Sequence, residues 1–243
     1  MSGHSKWHNI QVKKGKADKA RSGTFTKLSR AVTVAAQQGG GDAEMNFALR
    51  IAIDNAKLAN MPKENIERAI KRGTGELRDE AVLHESIYEV FGPGGVAMLI
   101  EALTGNVNRT VSEIKGILNK FGGILGSPGS VQWQFELRGV VRFTADKKFA
   151  LSNWEAVELE LMDAGVDDMI ETEDGVELFF SKEYFQKMME VIAKHGIEQD
   201  DSGLQWIAKE EIIVDDETNE KVTRLVEALD DLDDVKDVFT NLS

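Results

Sequence analysis

Residues 140–197 read VVRFTADKKFALSNWEAVELELMDAGVDDMIETEDGVELFFSKEYFQKMMEVIAKHGI, and their order of apolar runs and turns decides the fold. Val140–Phe143 is a short apolar run of strand length. Trp154–Ala164 places Val157 and Leu161 four apart, the spacing of a helix with one buried stripe. Asp168–Glu171 and Val176–Phe180 are strands around the turn signal Asp174-Gly175. Tyr184–His195 returns to helical spacing, and Ile197 opens a short closing strand. The order is βαββαβ, that of a ferredoxin-like module.

The flanking residues spell the same order, split in two. Ser86–Phe91 and Val96–Leu103 are strands on either side of Gly92-Pro93-Gly94-Gly95, a tight-turn sequence. Asn108 is an N-cap candidate for a helix over Arg109–Lys120 that buries Val111, Ile114, Ile117 and Leu118. Gly122-Gly123 stops it, and Ser130–Phe135 is the next strand. After the quoted stretch, Leu204–Ala208 reads as a strand. Glu217–Leu232 reads as a helix with Val222, Leu225, Val226 and Leu229 inside, and Val235–Phe239 as a last strand. The sequence therefore predicts an α+β protein with two ferredoxin-like α/β modules, one inserted in the other.

Ahead of the modules the pattern is helical. Ser22–Gln38 carries Phe25, Leu28, Val32 and Ala35/Ala36 at three- and four-residue spacings, and Gly39-Gly40-Gly41 ends it. Asp42–Asn60 carries Phe47, Ile51 and Leu58 inward. Pro62 begins a third helix with Ile66 and Ile70 inward, closed by Gly73 and Gly75. The expected domains are 1–78 (three helices, basic), 79–136 with 203–243 (discontinuous α/β), and 137–202 (inserted, acidic).

Charge is distributed as unevenly as the pattern. The chain of 243 residues carries a net charge of −13. Residues 1–78 hold fifteen Lys and Arg against seven Asp and Glu, or +8, so the remainder holds fourteen against thirty-five, or −21. Such asymmetry points to a basic binding surface attached to an acidic body. Ammonium and guanidinium groups neutralise phosphates and release condensed counterions, which gives sequence-independent affinity for nucleic acid. The candidate nucleic-acid-binding residues are Lys6, Trp7, His8, Lys13, Lys14, Lys16, Lys19, Arg21, Lys27 and Arg30, with Arg50, Arg68, Lys71 and Arg72 on the helical surface. Trp7 among these cations could stack on an unpaired base, worth about 1–3 kcal/mol. The alternative is a solvated charged segment with Trp7 in a local apolar contact.

Other patterns exclude function classes. With no cysteine, neither a disulfide framework nor a thiolate metal site can form. His4 and His8 lack a nearby carboxylate or thiol and read as exposed polar residues, so no metal and no cofactor is expected. Gly92–Gly95 lacks the Lys and Ser/Thr of a phosphate loop and reads as a hairpin turn. The pairs Asp167/Asp168, Asp200/Asp201, Glu210/Glu211, Asp215/Asp216 and Asp230/Asp231 sit at element ends, off calcium-loop spacing, and read as solvated carboxylates. No Ser or Cys nucleophile has a recognisable base, so no enzymatic activity is expected. No apolar run approaches membrane-spanning length, and Met1–Ile10 is too polar for a secretory signal. The expected location is the cytoplasm, without a membrane partner.

The run Gly3-His4-Ser5-Lys6-Trp7, with Lys16-Ala17-Asp18 and Phe25-Thr26-Lys27-Leu28, resembles the YebC/PmpR family. Gly39-Gly40-Gly41-Asp42, Asn60-Met61-Pro62, Ile66–Ile70, Tyr88-Glu89 with Gly92–Gly95, Asn108-Arg109-Thr110 and Gly129-Ser130-Val131 extend the resemblance over essentially the whole chain. It implies an α-helical N-terminal domain and two α/β domains. It also implies a regulator of gene expression, with members labelled probable transcriptional regulators and relatives acting at the ribosome. No catalytic residue set comes with it. Three functions follow as expectations. The first is a DNA-binding transcriptional regulator. The second is a translation factor that meets ribosomal RNA and relieves stalling. The third is a protein–protein adaptor working through the acidic body.

Overall fold

The computed structural model describes residues 19–77, 82–149, 151 and 153–243. Three helices come first: α1 (Lys19–Gly39), α2 (Phe47–Leu58) and α3 (Lys63–Gly73). Their shared core is Val32, Ala35 and Ala36 from α1, Leu49, Ala52 and Ala56 from α2, and Ile66 and Ala69 from α3. Five of these eight are alanines, so the helix axes approach closely. At Gly73 the approach is extreme, because an added Cβ would lie 2.3 Å from the Thr33 carbonyl oxygen. The second helix begins later than its sequence suggests. Asn46 accepts the Leu49 N–H as an N-cap, while its amide donates to the carbonyls of Ala35 and Gly40, at 2.7 and 2.8 Å. A side chain that ties down the end of α1 cannot also sit inside α2, which therefore starts at Phe47.

The chain then divides into two compact units, residues 1–135 with 208–243 and residues 136–207. In the first unit, β1 (His84–Phe91) and β2 (Ala97–Thr104) form an antiparallel hairpin with Phe91 opposite Ala97. Gly94 and Gly95, at φ +70° and +78°, make the turn, so the glycine run serves the hairpin as its sequence indicates. Helix α4 (Val107–Phe121) follows, then the two-residue strand β3 (Ile124–Leu125). Near the C-terminus come α8 (Asp216–Asp230) and β8 (Val235–Thr240). The strand order is β3-β1-β2-β8. Ile114 and Leu118 of α4 and Val222, Leu225 and Leu229 of α8 pack on Val90, Met98 and Ile100 of the sheet.

The inserted unit contains β4 (Phe135–Thr144), α5 (Ala145–Phe149), α6 (Trp154–Ala164), β5 (Val166–Glu171), β6 (Gly175–Ser181), α7 (Phe185–Lys194) and β7 (Asp201–Ala208). Its order is β5-β6-β4-β7, the ferredoxin-like arrangement in which the third and fourth strands flank the first. The mixed α+β class with two four-stranded antiparallel sheets follows the sequence expectation.

Besides the later start of α2 and its Leu58, expected inward but 42% exposed, three further details differ from it. The strand expected at Ser130–Phe135 is a 3-10 turn at Gln132–Gln134, and the two-residue β3 takes the edge place that this strand would have had, while β1 stands beside β2 in the place expected for Leu204–Ala208. The reason is local, since the buried Glu89 carboxylate accepts the N–H groups of Gly129, Val131 and Gln132 and removes them from any strand ladder. The strand near Leu204–Ala208 closes the inserted sheet rather than the split one, and so replaces the short strand expected at Ile197. Asn106, not Asn108, caps α4, its side chain accepting the Arg109 N–H at 3.1 Å.

Candidate nucleic-acid interface

Of the fourteen candidate residues, Lys6, Trp7, His8, Lys13, Lys14 and Lys16 lie outside the described residues, as do the side chains of Lys19 and Arg21. Of the other six, Lys27, Arg30 and Arg50 make the contacts described below, and Arg68, Lys71 and Arg72 lie on α3.

Lys27 and Arg30 lie a turn apart on α1, spaced to share a helix face. Both reach the acidic turn between α8 and β8. The Lys27 ammonium contacts the Asp230 carboxylate at 3.1 Å and the Asp230 carbonyl oxygen. The Arg30 guanidinium contacts the Asp234 carboxylate and the carbonyl oxygens of Asp233 and Leu103. Asp234 also accepts Arg109 at 2.6 Å, Thr110 at 2.7 Å and Thr104 at 3.0 Å. At 2% exposed, its carboxyl is a hub closed from solvent. Burial alone would raise its pKa. The hydrogen bonds from Arg109, Thr110 and Thr104, together with the Arg30 charge, outweigh that effect and hold it at about 2. Two cations counted as phosphate ligands thus already have carboxylate partners.

Arg50 donates to the carbonyl oxygens of Ala43 and Glu44, at 3.1 and 2.9 Å, and so braces the turn ahead of α2. Arg68 and Lys71 lie exposed on α3 away from its buried Ile66 and Ala69, while Arg72, one turn beyond Ala69, is half-buried with its Nε closed from solvent. Lys71 and Arg72 occupy the last turn, where cations also complement the helix dipole. The structure therefore brings Lys27 and Arg30 together at the acidic turn and sets the α3 cations on a separate face.

The sequence reading passed over several groups that carry the geometry. Arg109 and Asp234 gave no signal, because their pairing joins segments over a hundred residues apart. The Asp pairs read as solvated are in part engaged: Asp230 meets Lys27, Asp201 meets Arg142 at 2.9 Å, Asp200 meets Lys147 at 2.9 Å and Asp215 caps α8. His195 contacts Glu160 at 2.8 Å. Trp133, 67% exposed, stands on the Glu89-bound loop with its ring N–H donated to the Ser130 carbonyl oxygen. Among the described residues no group of three or more His, Cys, Asp and Glu side chains is placed to hold a metal ion, and no helix is long and apolar enough to cross a membrane.

Residues 5–76 match the family model described as the TACO1/YebC protein N-terminal domain, and residues 83–242 match the TACO1/YebC second and third domain. A probable transcriptional regulatory protein of Persephonella marina is 48% identical, over 99% of this chain and 95% of its own. Another so named, from Herpetosiphon aurantiacus, is 42% identical over 100% and 94%. Among solved structures, a conserved hypothetical protein of Aquifex aeolicus superposes with a TM-score of 0.85 at 38% identity, over 94% of this chain and 93% of its own.

Proposed function

The chain belongs to the TACO1/YebC family, and from that premise we propose that it is a DNA-binding transcriptional regulator that holds phosphates through residues 1–78. Relatives named as transcriptional regulatory proteins support a regulatory role. The observation that carries the nucleic-acid reading is charge segregation, +8 in residues 1–78 against −21 in the rest. The placement of cations narrows the surface. With Lys27, Arg30 and Arg50 engaged internally, we assign the phosphate contacts chiefly to the cations of residues 6–21 and to the exposed Arg68 and Lys71 on α3.

Phosphate contacts give affinity that falls steeply with salt, and each one lost flattens the salt slope by about one unit. Replacing Lys13, Lys14, Lys16 and Lys19 with alanine should therefore weaken duplex DNA binding alike on any sequence and flatten the slope by roughly three to four. Fluorescence anisotropy over a salt series measures both. Undiminished binding at low salt would remove these residues from the interface. A preference for one duplex over scrambled competitors at matched salt supports a transcriptional role; tighter binding to structured RNA than to any duplex overturns DNA as the target.

A further inference from the structure

Helix α6 of the inserted unit has two apolar stripes, and the fold uses one. Val157, Leu161 and Ala164 face the core. On the opposite side Glu155, Glu158, Leu159 and Met162 share a face by three- and four-residue spacing, with Leu159 65% and Met162 49% exposed. Beside them runs β5, an edge strand of its sheet. Between helix and strand lies a groove of about 490 Å³ whose walls include Glu158, Met162, Val166, Asp168 and Met169. Asp167 and Glu171, also at the groove, are neutralised by Arg138 and Lys148. Glu158 and Asp168 have no ion pair among the described residues.

We propose that this groove docks a basic amphipathic helix of a partner protein, its apolar face on Leu159, Met162 and Met169 and its Lys or Arg residues against Glu158 and Asp168. Charge selects the occupant, because residues 136–207 carry seventeen Asp and Glu against seven Lys and Arg, or −10. That field repels nucleic acid and attracts a cationic segment. The edge strand selects a helix rather than an added strand. A register shift between Val166 and Asp168 bulges β5, and its carboxylates line the open edge, both of which oppose strand pairing. Two methionines in the lining give a surface that adapts to the side chains laid on it. This site is independent of the phosphate-binding surface and stands or falls without it.

The test uses the full chain labelled with carbon-13 at its eight methionine methyls. The probe is a Lys/Leu amphipathic peptide of about fourteen residues, four helical turns. The proposal expects the Met162 and Met169 signals to shift while buried Met98 and Met188 stay still. Leu159→Glu with Met162→Glu should weaken peptide binding about tenfold or more. Glu158→Lys, which leaves the apolar surface intact, should do the same and guards against a folding artefact. A Glu/Leu peptide of the same pattern should not bind. Equal binding of polylysine would overturn the groove in favour of diffuse attraction, as would unchanged affinity in all variants. Shifts at Met162 and Met169 that grow with protein concentration and no peptide would overturn it in favour of self-association.

Discussion

In the inserted unit, Arg142 is buried among Glu177 at 2.5 Å, Asp201 at 2.9 Å and Gln205 at 2.9 Å, all on neighbouring strands of one sheet. In the other unit, Asp234 gathers Arg30 from α1, Thr104 from the end of β2, and Arg109 and Thr110 from α4. Both clusters take charge out of water and compensate it with ion pairs and hydrogen bonds. They differ in reach. The Arg142 cluster closes over 63 residues within one continuous module, whereas Arg30 and Asp234 are 204 apart. The first forms once its module folds. The second forms only when the helical segment and the C-terminal strand have both found the split sheet. One cluster therefore reports on a module, the other on assembly.

The largest effect separates the two. Arg142→Met should destabilise the inserted unit by about 3–5 kcal/mol, because it strands buried Glu177 and leaves Asp201 without its cation. Hydrogen exchange on the full chain should show lost protection in β4 and β6, with β1 and β2 unchanged. Glu177→Gln in the same chain should restore part of it. Equal loss in β1 and β2 would mean that the units do not melt independently, and the contrast between the clusters would fail.

Legibility in the sequence follows the same division. The first five elements of the continuous βαββαβ order were readable because each carries its own period and its own turn, whereas the closing strand expected at Ile197 lies at Asp201–Ala208. In the split unit, helices α4 and α8 were readable from Ile114, Leu118, Val222 and Leu225, and so were β1, β2 and β8, but the strand that completes the sheet was not. Nothing local tells that Glu89 will take the amides of Gly129, Val131 and Gln132, or that β1 will stand beside β2 where the strand at Leu204–Ala208 was expected. The candidate site shows the same limit. Local charge marked Lys27 and Arg30 as cations, while their partners Asp230 and Asp234 lie about two hundred residues away. Arg142 lies inside the apolar run Val140–Phe143, and nothing local names its partners Glu177, Asp201 and Gln205, which sit on other strands.

Asp234→Asn probes assembly, with a smaller expected effect. Loss of the charge leaves Arg30 and Arg109 facing an amide, at a cost on the order of 2 kcal/mol at neutral pH, reduced by solvent screening of half-exposed Arg109. The pH dependence has a definite sign. The folded carboxyl is held at about 2 against an ordinary 3.8, so its contribution is complete above pH 3.8 and disappears as pH falls toward 2. Acid denaturation curves of the parent and Asp234→Asn should therefore converge in that window. Curves that stay parallel from neutral pH to pH 2 would show that the charge of Asp234 does not hold the helical segment.

The smallest effect resolves which arginine couples α1 to this hub. Arg30, 20% exposed, spends further donors on the carbonyl oxygens of Leu103 and Asp233, while Arg109 is 53% exposed and shares itself with Glu113. Exposed pairs contribute little, and buried ones lose more when a partner is removed. Arg30→Gln should cost about 1 kcal/mol, and Arg109→Gln less. Combined with Asp234→Asn in double-mutant cycles, the Arg30 coupling should exceed that of Arg109. The reverse order would make Asp234 a local brace for the start of α4 rather than the joint between distant parts of the chain. Under the proposed function, the same Arg30→Gln chain assayed with DNA should keep its parent affinity, because the guanidinium is paired with Asp234, and a loss of affinity would return Arg30 to the phosphate surface.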